Sequence, residues 1–164
     1  MNKISLRKVT LKDKKYFVQW WQDKELIRLT SGNFKSMSDS ELNSSFLSLL
    51  NSKNEIHFVI MASSNIIGHI SLSKRKDQWL ETQIVIGEKD YWNQGYSSRA
   101  IKNLISKIDR LTKIYLEVRP DNLRAIKAYE KSGFKKVKLI KYPNNKYLPE
   151  TLRMELVTDD ESPV

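Results

Sequence analysis

The sequence predicts a mixed α+β fold built on one sheet, and three observations carry that prediction. Short segments rich in β-branched and aromatic residues recur along the chain, the composition that fits a pleated, half-buried surface. Between them lie stretches whose apolar residues return at i, i+3, i+4 and i+7, the period of a helix with one buried face. The chain has 164 residues, 40% hydrophobic and 29% charged, which gives one ordinary domain with one sizeable core.

In order, Ile4, Leu6 and Val9 read as an edge strand. Thr10-Leu-Lys-Asp13 has capping-box spacing and opens a helix through Phe17, Val18, Trp20 and Trp21. Ser38-Asp-Ser-Glu41 is a second capping box, followed by Leu42, Phe46, Leu49 and Leu50 along one helical stripe. His57 to Met61 and Ile66 to Leu72 form a hairpin around Ser63-Ser64-Asn65, and Glu81 to Ile86 is the next strand. Beyond Gly87 the period changes: Ala100, Ile101, Leu104, Ile105, Ile108 and Leu111 predict a helix of more than three turns. Ile114 to Val118 alternates as a strand, and Asn122 to Ser132 is a helix closed by Gly133 in a left-handed cap. Val137 to Ile140 and Leu152 to Val157 are the last strands, joined by a turn at Pro143-Asn-Asn-Lys146. Residues 1–157 are expected to form a single domain, and 158–164 a disordered acidic tail.

Composition removes several kinds of chemistry. No cysteine is present, which excludes disulfides, thiolate metal ligands and a cysteine nucleophile, and two histidines do not make the usual zinc site. No metal is therefore expected. The five glycines cannot write a dinucleotide fingerprint or a P-loop. Formal net charge is +10, a field that favours anionic ligands without naming one. The start of the chain shows no apolar signal region, and the uncharged run from Ile56 to Ser73 is broken by polar residues as two strands would be. A cytoplasmic protein with no membrane partner is the expectation. No helix concentrates Lys and Arg on one face and no aromatic RNA-binding motif appears, so no specific nucleic-acid partner is expected.

Two segments carry the functional reading. In the first, a strand runs through Tyr91-Trp92-Asn93-Gln94-Gly95-Tyr96-Ser97-Ser98 into the strong helix. The first amides of a helix lack internal partners and sit at the positive end of its dipole, so this turn is either an ordinary cap or a cradle for phosphate oxygens. In the second, Asn122, Ala125 and Tyr129 lie at i, i+3 and i+7, putting an amide, a small side chain and a phenol on one helical face. There Tyr129 is either a half-buried core aromatic or a ligand-facing phenol.

Together these segments resemble the GNAT superfamily of acyl-CoA-dependent N-acetyltransferases, most strongly from Glu81 to Phe134. The family's phosphate loop, [QR]-x-x-G-x-[GA], falls on Trp92 to Ser97; Trp92 replaces Gln or Arg and Ser97 replaces the second small residue, while Tyr-Trp-x-x-Gly-Tyr is similar to the RimJ/RimL-like branch. Asn122-Leu-Arg-Ala-Ile-Lys-Ala-Tyr-Glu-Lys-Ser-Gly-Phe134 matches the family's second motif closely.

The resemblance implies a three-layer α/β/α domain whose mostly antiparallel sheet of about seven strands is splayed between the fourth and fifth. It implies acetyl-CoA as co-substrate, with its pyrophosphate on the amides of Gln94, Gly95, Tyr96, Ser97 and Ser98. The pantetheine would run along Ile84, Val85 and Ile86, with Arg99, Asn122 and Arg124 as further contacts. Tyr129 would be the general acid, a backbone N–H near Val85 the oxyanion donor, and Glu81 the base, directly or through water. With no cysteine to carry an acetyl group, transfer to the primary amine is direct.

The acceptor is expected against Trp20 or Trp21, Glu25 and Glu81, with Asp23, Glu25 and Glu81 as a local acidic pocket. The basic surplus points to a protein N-terminus or a nucleotide-linked amino sugar, with a polyamine or aminoglycoside as the alternative. A non-catalytic acyl-CoA-binding or partner-binding module on the same fold is the competing class. The assembly expected is a monomer or a homodimer.

Overall fold

In a computed structural model, which describes residues 2–109 and 112–157, seven strands form one sheet in the order β1-β2-β3-β4-β5-β7-β6. The strands are β1 (Ile4–Lys8), β2 (Glu55–Ala62), β3 (Asn65–Lys74), β4 (Trp79–Ile86), β5 (Lys113–Val118), β6 (Lys135–Lys141) and β7 (Glu150–Val157). All neighbours are antiparallel except β4 and β5. Helices α1 (Lys14–Gln22), α2 (Lys24–Leu29) and α3 (Asp39–Leu50) cover one face through Phe17, Trp20, Leu26, Phe46 and Val59. Helices α4 (Tyr96–Ile105) and α5 (Leu123–Lys131) cover the other, where Ile101, Leu104 and Ile126 meet Ile70, Ile114 and Leu116. The expected three layers are present.

Local chemistry fixes the element ends. Asp13 is buried, and its carboxylate accepts the Thr10 amide at 2.7 Å and a bidentate Arg7 guanidinium at 2.9 and 3.0 Å. Burial alone would raise its pKa, but these donors hold it below the usual carboxylate range. Ser38 and Glu41 form the reciprocal box expected at the start of α3.

The first helix stands where it is expected, but α2 was not foreseen: Asp23 turns extended (φ −76°, ψ 116°) and its carboxylate caps Glu25 and Leu26, both at 3.0 Å, so a second helix starts directly after α1. One expectation is corrected. The helix predicted to reach Leu111 ends at Ile105. There the amides of Lys107 and Ile108 bond only three residues back, to Leu104 and Ile105, and these tighter turns still bring Ile108 against the core. The apolar period therefore outlasts the helix. Leu111 and the proposed tail at 158–164 lie outside the described residues.

The feature that positions a site is the seam between β4 and β5. It has three residue pairs, Trp79 with Lys113, Leu80 with Ile114 and Glu81 with Tyr115. Past Glu81, β4 continues on β3 as far as Ile86, and past Tyr115, β5 continues on β7 as far as Val118. The two strands part from that point.

Candidate active site

The parting leaves β4 with an open edge. The Gly87 amide bonds Ile67 on β3, so the alternation of backbone groups along a strand turns Ile84 and Ile86 toward the gap. At the far end of that edge the Trp92 indole N–H donates to the Ile86 carbonyl at 2.7 Å. The Arg124 guanidinium, from the first turn of α5, lies 3.7 Å from the centre of the Trp92 ring and ties the two sides of the gap together. Burial lowers the Arg124 pKa, opposed by Glu25. Sequence reasoning placed Arg124 near the cofactor but did not foresee this stack, since nothing in the order of residues joins 92 to 124.

The turn before α4 has the features of an anion cradle. Gly95, at φ +78°, is the N-cap, and no side chain caps the first turn, whereas Asp23, Ser38 and Asn122 cap α2, α3 and α5. A Cβ at Gly95 would meet no heavy atom within 4 Å, so the left-handed φ, not crowding, requires glycine, and the space at that position is open. The Gln94 side chain turns back to the Asp90 carbonyl. Tyr96 and Ser98 are buried and Ser97 half-buried. Arg99 faces away from this turn, donating to the Asn2 carbonyl beside β1 with its guanidinium 5.3 Å from the Tyr96 ring centre.

Helix α5 brings the second motif to the first. The Ser132 hydroxyl donates to the Ser98 hydroxyl at 3.1 Å, so the last turn of α5 meets the first turn of α4. One turn earlier on α5, Tyr129 is 8% exposed, and burial raises its phenol pKa. Asn122 caps α5 through Ala125 at 3.3 Å and donates to the Leu29 carbonyl at 3.4 Å, linking α5 to the end of α2.

The opposite face of the sheet is polar. Glu81 sits in the last pair of the seam, where its carboxylate takes Arg75 at 2.7 Å and the Tyr115 hydroxyl at 3.4 Å. Two residues along β5, Glu117 accepts the hydroxyls of Tyr142 at 2.6 Å and Thr151 at 3.0 Å. That bond, with burial, pushes the Tyr142 phenol up to about 12. Asp23 and Glu25 are elsewhere, clamping Lys89 at 2.9 and 3.0 Å beyond the far end of β4. Seven residue steps of extended strand and turn, roughly 20 Å at the rise of a β-strand, take the chain from Glu81 to Glu88, so the structure does not gather Asp23, Glu25 and Glu81 into one acidic pocket.

Trp20 is buried, its indole donates to Glu88 at 2.9 Å, and it lies so close to Gly87 that a Cβ there would stand 2.2 Å from its ring. Trp21 instead borders a groove of about 710 Å³ with Ser45, Ser48, Glu55, His57 and Arg75. In the groove wall Glu55 bonds His57 at 3.0 Å, and His57 bonds His69, which lies beyond the lining, at 2.9 Å. Burial and the neighbouring His57 push His69 down to about 3, so this ring stays neutral. The groove and the histidine pair were not foreseen; the hairpin register, which sets His69 against Val59 and His57 against Ser71, is the signal that locates them.

Among the described residues no group of His, Asp and Glu is arranged to hold a metal, and no helix is long and apolar enough to cross a membrane. Solved structures share this architecture. One is the spermidine N-acetyltransferase from Vibrio cholerae in complex with CoA and spermine, at 22% identity and a TM-score of 0.79 over 94% of this chain and 95% of that one. Another is the aminoglycoside acetyltransferase AAC(6')-Ib in complex with coenzyme A, at 18% identity and 0.79 over the same shares. A domain from Methanocaldococcus jannaschii DSM 2661 has 20% identity and a TM-score of 0.79 over 96% and 99%. At these identities the likeness is one of fold. The acetyltransferase (GNAT) domain family matches residues 3–135, and with the parted strands and both motifs in place the chain belongs to that family.

Proposed function

We propose that this protein transfers the acetyl group of acetyl-CoA directly to the primary amine of a small cationic acceptor, in the manner of the RimJ/RimL-like branch that its Tyr91-Trp92 and Gly95-Tyr96 pairs resemble. The observation that carries the reading is the uncapped turn at Gly95, held beside Tyr129 by the contact of α4 with α5 at one end of an open strand edge. The residues fit acetyl-CoA: the uncapped first turn of α4, with open space at Gly95, would take a diphosphate on the amides from Gln94 to Ser98, and the backbone groups of Ile84 and Ile86 offer an edge for an extended amide chain, while Val85 between them turns its backbone to β3. When bound, acetyl-CoA supplies an activated thioester.

The chain's own residues do the rest. The raised pKa keeps the Tyr129 phenol protonated at neutral pH, as a general acid requires, and a buried site strengthens every donor within it. Glu81 at the vertex is the expected base, with Arg75 and Tyr115 fixing its carboxylate. Asn122 orders the start of α5, and Arg124 is the basic side chain nearest the open edge.

The groove on the opposite face supports a small, hydroxyl-rich or polycationic amine over a folded protein substrate. Its walls are small hydroxyl and amide side chains around Trp21, with Glu55 at its edge. The spermidine and aminoglycoside enzymes of similar fold support the same class. Thiol release from acetyl-CoA with spermine, kanamycin and a free peptide N-terminus tests this. Tyr129→Phe should lower kcat on the order of a hundred-fold while leaving the KM for acetyl-CoA within about two-fold, the pattern of a lost general acid. Unchanged turnover in that variant removes Tyr129 from the chemistry.

A further inference from the structure

Helix α2 bridges the two halves of the parted sheet. At its start, Asp23 and Glu25 hold Lys89, in the turn after β4, at 2.9 and 3.0 Å. At its end the ties run to the segment that follows β5: the Leu29 carbonyl accepts the Asn122 side chain at 3.4 Å, and the Thr30 carbonyl accepts Arg119 Nε at 2.7 Å. Beyond Thr30 the chain reaches the Ser38 cap without helix or strand, with Asn33, Phe34 and Lys35 exposed. Among the described residues, these two bonds are the only hydrogen bonds that join residues 29–37 to segments beyond α2.

The same guanidinium reaches the turn between β6 and β7, where Arg119 Nη2 donates to the Tyr147 carbonyl at 2.6 Å. That turn is closed on itself by the Tyr142 amide on the Pro149 carbonyl and by the Asn145 side chain, which accepts the Tyr147 and Leu148 amides. Leu116 and Val118 are buried in the core beneath α4 and α5, so alternation along the strand sends Arg119 to the opposite face, the one that carries Glu81 and Tyr115. Pro120 biases the Arg119 backbone to the extended form that keeps this alternation.

Gly32 marks how closely the three segments meet. Its φ is +71°, and a Cβ there would collide with the Arg119 guanidinium and stand 2.7 Å from the Tyr147 carbonyl oxygen. A planar fork of donors suits two carbonyls from separate segments, whereas an ammonium offers a single point. We propose that Arg119 is a positioning residue for the acceptor: it sets the spacing between the end of α2 and the β6–β7 turn across the parted strands, and that spacing fixes the wall against which the amine is held. The inference rests on the amine-transfer reading above and adds a residue to it.

The test is steady-state acetyl transfer to spermine and kanamycin by the wild type, Arg119→Gln, Arg119→Lys and Gly32→Ala, with the KM for each co-substrate measured separately, below the melting transition of each variant. Arg119→Gln should raise the amine KM about ten-fold through lost positioning. The KM for acetyl-CoA should stay within about two-fold. Removing a positive charge would by itself favour a cationic amine, so a raised KM marks lost geometry and not lost charge. Arg119→Lys, which keeps the charge without the fork, should recover only part of the affinity. Gly32→Ala displaces the same guanidinium and should raise the amine KM as well, and adding it to Arg119→Gln should change little, as two changes at one junction do. An unchanged or lowered amine KM in Arg119→Gln overturns the proposal, as does a parallel rise in both KM values, which would mark a general loss of structure.

If acetyl-CoA binds but neither amine is acetylated, the reading of the acceptor class fails on its own, and trypsin cleavage after Lys35, followed by mass spectrometry, decides for Arg119. Cleavage about ten-fold faster in Arg119→Gln than in the wild type supports the latch. Equal rates overturn it.

Discussion

His69 shows how a residue can be legible by type and illegible by consequence. It is bonded to His57 and edge-on to Phe17 at 4.9 Å between ring centres. Its folded pKa of about 3 lies below the ordinary value near 6.5. The unfolded chain therefore takes a proton that the folded ring refuses. The stability this group contributes is complete above about pH 6.5 and is lost progressively as pH falls toward 3, by up to roughly 1.4 kcal/mol per pH unit. Denaturant midpoints at pH 7 and pH 5 should differ clearly in the wild type and by less in His69→Gln. From sequence the two histidines signified only too few ligands for zinc; their adjacency depends on strand register, which composition does not encode. Glu117 was missed for a related reason. A strand carboxylate announces nothing until its neighbours on two other segments, Tyr142 and Thr151, are known to be hydroxyls. Tyr129, Asn122 and Gly95 were legible because each belongs to a motif whose spacing a helix preserves.

At the scale of elements, the strongest sequence signals were those tied to a hydrogen bond. Both capping boxes appear: Thr10 directly precedes the tight turn Leu11–Asp13 that leads into α1, and Ser38 directly precedes α3. Elements read from apolar period alone were less well bounded. Ile108 keeps the rhythm of α4 although its amide has left the helical ladder, because burial selects the side chain and not the bond behind it. The break at Asp23 hid for the opposite reason: helix residues flank it on both sides, and only its side-chain caps reveal the restart.

The start of α4 makes an element-level prediction. Replacing Gly95 by Ala puts a Cβ in the left-handed region, at a cost of about 1 kcal/mol, without striking any neighbour. That Cβ would stand in open space at the start of α4. Thermal melting should fall by a few degrees. Acetyl-CoA affinity measured by calorimetry should fall much further, about ten-fold or more, because the backbone approach is blocked. Equal small losses in both would deny the turn its part in binding.

Across the whole molecule, charge and topology act together. The outer strand β6 carries Lys135, Lys136, Lys138 and Lys141 beside exposed Val137 and Leu139, and repulsion between such edges opposes strand-to-strand association. The +10 charge also favours a polyanionic co-substrate, so its affinity should decline with added salt. Acetyl-CoA at about 100 times its dissociation constant should stabilise the fold by roughly 2.7 kcal/mol through mass action, visible as a raised melting temperature that shrinks at high ionic strength. No shift at any salt concentration would contradict cofactor binding.

The strands and helices and their order along the chain were readable from period and turn chemistry, while the three layers and the parting of β4 from β5 came only through family resemblance. Parallel strands give no hairpin to fix where their pairing stops. Three rungs join a plate of four strands to a plate of three. The plates can pivot on that short spine in a way that a fully laddered sheet could not, and a long, thin molecule wedged along the opening would make them move as one body.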